Sequence, residues 1–265
     1  MYDFGYHRPT SLADAINELQ RAEDGQVMAG GQTLIPTLKQ RLAQPSDIVD
    51  LGQVDELKGI SEDGGALVVG AMTTHAEVAA SDLVKSKIPA LASLAEGIGD
   101  PQVRHRGTIG GSIANNDPAA DYPAGCVGLG ATIHTNQRQI PADDFFVGLF
   151  ETALEEGEIV TAISFPIPDK AAYAKFPNPA SRYAIVGVMV AQAGSTVRVA
   201  VTGAGPGVFR DHAIEGSLAG NFSADAVGDS SADEGSLNGD MHASAAYRKH
   251  LISVMTKRAV SAANG

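Results

Sequence analysis

The chain has one cysteine, no tryptophan and few aromatic residues of any kind, 5% of its 265 positions. Each shortage excludes something. A single thiol, Cys126, cannot close an internal disulfide. Nor can it hold an iron–sulfur cluster, which needs about four thiolates. With six Tyr and eight Phe, aromatic contact with any ligand falls to a handful of side chains. Cations are also short: 19 Lys and Arg stand against 31 Asp and Glu, a net charge of -12. Such a field repels duplex DNA and anionic membranes, although Arg104-His105-Arg106 forms a local basic strip. No apolar run approaches the roughly 20 residues of a membrane span. No basic start leading into an apolar stretch marks a secretory leader, so the expectation is a soluble, cytoplasmic protein.

Several familiar chemistries are missing too. No lysine follows a glycine run in the manner of a phosphate-binding P-loop. The seven histidines show no His-Glu-x-x-His spacing, and His75 and His105 read as structural or solvated. Ser112 and Ser181 lack the Gly-x-Ser-x-Gly elbow of a serine hydrolase. Gly203-Ala204-Gly205-Pro206-Gly207 follows a strand, but its third glycine comes one place early and Pro206 spoils the turn, so it reads as a plain turn and not a dinucleotide fingerprint. Asp143-Asp144 reads as a helix cap or a wet loop in preference to a catalytic pair.

What is abundant is glycine, at 30 residues. Two Gly-Gly turns dominate, Ala29-Gly30-Gly31-Gln32-Thr33 and Thr108-Ile109-Gly110-Gly111-Ser112. Each follows a short apolar or β-branched run. Glycine lets peptide N–H groups approach an anion closely, because no Cβ intervenes. Two such turns in one chain suggest a diphosphate bridging two moieties, hence a large dinucleotide. The stretch Asn115-Asn116-Asp117-Pro118-Ala119-Ala120-Asp121-Tyr122-Pro123 follows the second turn. Its short polar side chains suit ribityl or ribose hydroxyls and suit plain turns equally; beside a diphosphate cradle, ligand contact is the better reading.

Along the chain the pattern is α+β in three consecutive parts. Ser11 with Asp14 caps a helix carrying Leu12, Ala15, Ile16 and Leu19, and Gly25 ends that segment. A strand over 27–29, a helix over 34–42 and a strand over 47–51 complete the first part, residues 1–55. Residues 56–168 carry a hairpin around Glu62-Asp63-Gly64-Gly65, a helix capped by Thr74 and Glu77, a helix over 89–98, a hairpin over 131–140 and a strand over 159–165. Residues 171–265 offer strands at 184–192 and 196–202, a polar surface loop over 221–240 and an amphipathic helix over 244–260.

The two glycine turns, with Asp117-Pro118-Ala119-Ala120-Asp121, Ser181-Arg182-Tyr183-Ala184-Ile185-Val186-Gly187-Val188 and Ala243-Ser244-Ala245-Ala246-Tyr247-Arg248, resemble the FAD-binding medium subunit of the molybdenum hydroxylases, the family of xanthine dehydrogenase and aerobic carbon monoxide dehydrogenase. The resemblance runs through nearly the whole chain in order. It implies a two-subdomain FAD-binding fold of the vanillyl-alcohol oxidase type, then a small α+β C-terminal domain. It implies noncovalent FAD, with Ala29, Gly30, Gly31, Gln32, Thr33 and Leu34 in the first pyrophosphate loop and Thr108, Ile109, Gly110, Gly111 and Ser112 in the second. Asn115, Asp117 and Asp121 follow as cofactor contacts, Lys175 lies near the flavin, Tyr183 against the isoalloxazine, and Ile98 packs nearby. Many relatives carry Asn where Ser112 stands, which shortens that side chain's reach. No metal ligand or catalytic side chain is implied in this chain. The resemblance places molybdopterin in a large partner subunit and [2Fe-2S] clusters in a small one, as a dimer of heterotrimers. Substrate is then oxidised at molybdenum and FAD passes the electrons to quinone, NAD or oxygen, which the residues do not distinguish. A stand-alone FAD oxidase and a cofactor-binding protein without turnover are the competing readings.

Overall fold

A computed structural model describes all 265 residues. The first sheet is parallel, with the strands Gly5–His7, Asp47–Asp50 and Gly25–Met28 in that spatial order. Parallel strands need a crossover, and the helix Leu12–Arg21 supplies it. Ser11 caps that helix through the Asp14 amide at 3.1 Å. Its apolar stripe of Leu12, Ala15, Ile16 and Leu19 covers a small core with Val49, Leu51 and Val54.

The second sheet is antiparallel and five-stranded. Its order is Ile60–Asp63, Ala66–Gly70, Val160–Pro166, Thr132–Thr135, Gln139–Pro141. Thr74 and Glu77 form the expected reciprocal cap of the helix His75–Ala80. The third sheet, also antiparallel, orders the strands Lys170–Pro177, Ala184–Ala193, Thr196–Thr202 and Phe209–Arg210. The helix Ala245–Ala263 covers one face of it, burying Val186, Val188 and Val190 against Ile252 and Met255. The other face, through Met189 and Ala191, joins the core of the second sheet. Burial on both faces is why Ala184 to Ala191 reads as an uninterrupted apolar run.

Between the second and third sheets lies the helix Asp121–Leu129, with all nine residues buried. Its glycines make the contact possible. A Cβ on Gly128 would lie 2.5 Å from Met189 Cγ, and one on Gly125 would lie 3.0 Å from Leu94 Cδ1.

One expectation needs correcting, one needs an addition, and several elements were not anticipated. The second Gly-Gly pair is not in a turn; it lies in the first turn of a helix, Ile109–Asn115. Thr108 caps that helix and keeps two glycines helical by tertiary packing, against their poor propensity. Residues 221–240 are the irregular and largely exposed segment expected, but Val227, Ser230 and Leu237 are buried and anchor it. The Ser230 amide donates to Ser253 Oγ at 3.0 Å, and the Asn238 amide to the Ala204 carbonyl at 2.8 Å. Finally, the helices Asp82–Lys87, Pro101–Arg106 and Asp121–Leu129 and the strand Lys170–Pro177 were not among the expected elements, although Ser81 and Asp100-Pro101 mark two of the helix starts. The turn at Gly203 to Gly207 is the plain turn expected, joining two strands of the third sheet. Asp143, on the short helix Ala142–Phe145, pairs with Arg198.

Arg248 closes the C-terminal unit. It is 4% exposed and donates to the Ile185 and Gly203 carbonyls at 2.6 and 2.9 Å and to Asp240 at 2.7 Å. Arg248→Ala strands those carbonyls and is expected to cost about 3 kcal/mol. Arg258→Ala on the exposed side of the same helix is expected to stay within about 0.5 kcal/mol. Urea unfolding of the two variants checks this pair of values.

Candidate functional site

The loop from Ala29 to Leu34 joins the strand Gly25–Met28 to the helix Leu34–Lys39. None of the amides of Gly30, Gly31, Gln32, Thr33 and Leu34 donates to a protein acceptor. That leaves a row of five consecutive unspent N–H groups, the kind of donor set that binds anions. Gly31 shapes it with a left-handed φ of +71°. Gln32 folds its side-chain amide back onto the Gly30 carbonyl at 3.3 Å.

This loop meets the second glycine segment directly. A Cβ on Gly30 would lie 2.1 Å from the Arg106 carbonyl oxygen and 2.8 Å from Gly107 Cα. One on Gly111 would lie 3.3 Å from Ala29 Cβ. Segments far apart in sequence therefore converge backbone to backbone.

The chemistry of the second segment differs from the expectation. The Ile109 amide donates to the Thr73 carbonyl at 3.1 Å and the Gly110 amide to the Ala71 carbonyl at 2.9 Å. The Gly111 amide donates to Thr108 Oγ1 at 3.2 Å and the Ser112 amide to the Thr108 carbonyl at 3.0 Å. The amides of 109–112 are thus spent inside the protein. A Cβ on Gly110 would meet Ala71 Cβ at 2.5 Å. Gly30 and Gly110 lack side chains so that backbones can interlock, not to clear room for a ligand. What this helix offers a ligand is the half-buried pair Ser112 and Asn115, three residues apart and so on one face.

A second cluster lies at the far end of the same helix. Seven residues span about 10 Å, so a ligand touching both clusters must be extended. Asn116 ends the helix in a left-handed conformation, and Asp117 Oδ1 accepts from the Ala119 amide at 2.8 Å. The 117–121 loop is held to the third sheet. Thr202 Oγ1 donates to the Ala120 carbonyl at 2.7 Å, and the Gly203 amide to the Pro118 carbonyl at 2.8 Å. Asp121 is buried and accepts from the Tyr173 hydroxyl and from Lys175 Nζ, the latter at 3.0 Å. Lys175 Nζ also donates to the Gly97 carbonyl at 2.8 Å. Ile98 is next, its carbonyl held by Arg104 at 2.9 Å. Arg104 and Arg182 both reach the Gly99 carbonyl, at 3.1 and 3.2 Å. Arg104 thus serves carbonyls, not a surface carboxylate, while Arg106 stands exposed beside the first loop.

The electrostatics follow from burial. Burial pushes the Asp121 carboxyl up, against the opposing pull of Lys175 and Tyr173. Asp117 is raised by burial alone, its bond from Ala119 opposing. Tyr183, 46% exposed, has its hydroxyl raised by desolvation and then by the charges of Asp117 and Asp121. Ile98, Asp117, Asp121, Lys175 and Tyr183 therefore share one neighbourhood.

Sequence reasoning missed Tyr173 here, and of the two roles open to His75, structural or solvated, the structure shows a buried one. Tyr173 sits two residues before Lys175 on one face of a strand, which a reading of that strand would have shown. His75 is 5% exposed beneath Gly107, with its ring 5.3 Å from that of Tyr122. Neither His75 Nδ1 nor the Tyr122 hydroxyl has a protein partner. No group of three His, Cys, Asp or Glu is placed to hold a metal.

Comparison with known proteins decides the family. A model described as the FAD binding domain in molybdopterin dehydrogenase matches residues 2–168, and one for the CO dehydrogenase flavoprotein C-terminal domain matches 171–263. The chain belongs to the FAD-binding medium subunits of the molybdenum hydroxylases. It is 36% identical to the carbon monoxide dehydrogenase medium chain of Hydrogenophaga pseudoflava, over 98% of this chain and 96% of that one. It is 35% identical to the nicotine 6-hydroxylase medium subunit of Paenarthrobacter nicotinovorans, over 96% and 95%. The reconstituted CO dehydrogenase of Oligotropha carboxidovorans superposes with a TM-score of 0.89 at 34% identity, covering 99% of this chain and 98% of that one. Membership in this family of medium subunits makes the chain a flavoprotein subunit of a molybdenum hydroxylase. FAD is its cofactor, and molybdopterin and iron–sulfur centres belong to partner subunits. The unspent amides of the first loop and the extended polar path along the helix Ile109–Asn115 fit that cofactor.

Two expectations follow. Gly30→Ala and Gly110→Ala drive a Cβ into backbone and should each cost about 2 kcal/mol, whereas Gly111→Ala, whose Cβ meets a hydroxyl at 3.0 Å, should cost less than about 1 kcal/mol. Urea melts without FAD isolate this packing effect. The second concerns acid. Burial, and then the charge of Arg104, lowers the His75 pKa from 6.5 to about 4. The unfolded chain therefore binds a proton in that interval that the folded chain does not. Stability is full above pH 6.5 and falls toward pH 4, by at most about 3 kcal/mol for this residue. His75→Gln should flatten that slope in urea melts taken across the interval.

Proposed function

We propose that the FAD diphosphate rests on the amides of Gly30, Gly31, Gln32, Thr33 and Leu34, flanked by Ala29. Thr108, Ile109, Gly110, Gly111 and Ser112 form the opposing wall, with the Ser112 hydroxyl and the Asn115 amide as its polar contacts. Asp117 continues the path toward Ile98, Asp121, Lys175 and Tyr183 at the ring end. The observation that carries this reading is the row of five unspent amides seated against the backbone of Arg106 and Gly107. The left-handed Gly31 in that row is the backbone feature that anion-binding nests use. We divide the chain at 1–55, 56–168 and 171–265, a reading supported by the grouping of its strands into one main sheet per part, with a further two-stranded sheet, Phe146–Gly148 with Glu151–Thr152, inside the second.

When bound, FAD takes up electrons singly or in pairs and releases them to an acceptor. The chain's own residues bind and orient it. Lys175 holds a fixed positive charge at the ring end, and the Gly97 carbonyl keeps its ammonium in place. Tyr183 offers a half-exposed aromatic face beside the same cluster. Cys126 is buried and single, so iron–sulfur clusters must come from a small partner subunit and molybdopterin from a large one. We assign the assembly as a dimer of heterotrimers in the cytoplasm; no helix of this chain is long and apolar enough to cross a membrane. Relatives named for carbon monoxide and for nicotine match this chain at 36% and 35% identity. Two such different substrates at equal distance support a subunit that does not choose the substrate.

The complex, purified gently, should carry one FAD per copy of this chain, released by denaturation with no covalent remainder. Gly31→Val should lower that occupancy severalfold, because valine cannot adopt a φ of +71° and its Cβ meets Ile35. Absorbance of the released flavin against protein measures both. Wild-type complex without flavin bands, or a Gly31→Val complex with full occupancy, contradicts the assignment of the loop.

A further inference from the structure

Asp121 has little left to offer a ligand. It is 5% exposed, and its carboxylate is engaged by the Tyr173 hydroxyl on one oxygen and by Lys175 Nζ at 3.0 Å. Lys175 is the member of this cluster whose ammonium has a second acceptor, the Gly97 carbonyl beside Ile98. Tyr173 and Lys175 alternate on one face of the strand Lys170–Pro177, so both meet Asp121 from the same side. We propose that Tyr173 is a positioning residue for Lys175, acting through Asp121.

The neighbouring strand is built around that hydroxyl. Gly187 stands opposite Lys175 in the register, and a Cβ there would lie 2.1 Å from the Tyr173 oxygen. The oxygen thus occupies the space that a side chain at 187 would take. A tyrosine that only filled the core would need no such notch, since its ring is the part that packs. The hydroxyl supplies the carboxylate's second donor. Without it, a buried carboxylate with one partner is more readily protonated. Its grip on the ammonium then weakens, and the Lys175–Gly97 contact loosens with it. The proposal rests on the FAD reading only in what Lys175 is held for; the positioning itself concerns this chain alone.

Tyr173→Phe removes the oxygen and keeps the ring. Labelling of the purified complex with an amine-acylating reagent, quantified by mass spectrometry, reads Lys175 directly, with exposed Lys170 on the same strand as internal control. Lys175 should acylate about tenfold faster in Tyr173→Phe, the loss of one charged hydrogen bond. Lys170 should be unchanged. Gly187→Ala, which displaces the hydroxyl, should give the same response. Unchanged Lys175 reactivity in Tyr173→Phe overturns the proposal, whatever Gly187→Ala does. A second readout is the reduction midpoint of the bound flavin. It should fall in Tyr173→Phe, because a cation held less firmly stabilises added electrons less. In a Lys175→Met background Tyr173→Phe should add nothing, and an equal shift in that background also overturns the proposal. A wild-type complex lacking flavin would sink the FAD assignment, while the labelling result would still decide the positioning claim.

Discussion

The architecture depends on one helix with no face turned to water. Asp121–Leu129 is buried along its whole length, between the core of the five-stranded sheet and the inner face of the C-terminal sheet. Close approach on both sides is bought with Gly125 against Leu94 and Gly128 against Met189. A helix in this position cannot shift without opening both cores. Its first residue, Asp121, is thereby fixed at the seam, where a carboxylate is tolerated because Lys175 and Tyr173 answer it. An unanswered carboxylate there would destabilise the fold by several kcal/mol. The polar cluster and the apolar packing are therefore one constraint.

The glycines divide into two physical classes that look alike in sequence. Gly31 is needed for backbone conformation, with φ at +71°. Gly30, Gly107 and Gly110 are needed for absence of bulk: the space their Cβ would fill holds the Arg106 carbonyl, the His75 ring and Ala71. Only the first class shapes the row of unspent amides directly. The second brings the two segments together. A motif read as one function is thus two, a left-handed turn and a close packing of backbones.

Legibility followed periodicity. The Ser11 and Thr74 caps, the two hairpins of the second sheet and the C-terminal helix were readable because capping chemistry and alternation are local. The helix Asp121–Leu129 was not readable: burial on every side erases an amphipathic period, and its glycine and proline content argues for a loop. Gly110 and Gly111 misled for the same reason, since their helix is held by the Thr108 cap and by Ala71, not by propensity. The 221–240 stretch was legible in part through composition. Most of its polar residues are solvated as composition suggests, but two are spent as anchors, Ser230 on Asp211 and Asn238 on the Gly205 carbonyl. Of the ring-end cluster, Asp121 and Lys175 were legible through resemblance, whereas Tyr173 required knowing that Lys170–Pro177 is a strand.

The two matched regions meet between residues 168 and 171, yet the site does not respect that border. Lys175, Tyr173 and Tyr183 come from the C-terminal unit, and Asp117, Asp121 and Gly97 from the preceding one. Thr202 and Gly203 hydrogen-bond the 118–120 backbone across the same seam. Removing the C-terminal unit would strip Asp121 of both donors and expose Met189's partners on the buried helix. The Ala29–Leu34 loop and the helix Ile109–Asn115 would survive such a cut in sequence, but the cluster around Asp121 would lose Tyr173, Lys175 and Tyr183. The two glycine segments and the Asp121 cluster therefore draw on different units, and the buried helix Asp121–Leu129 ties those units together.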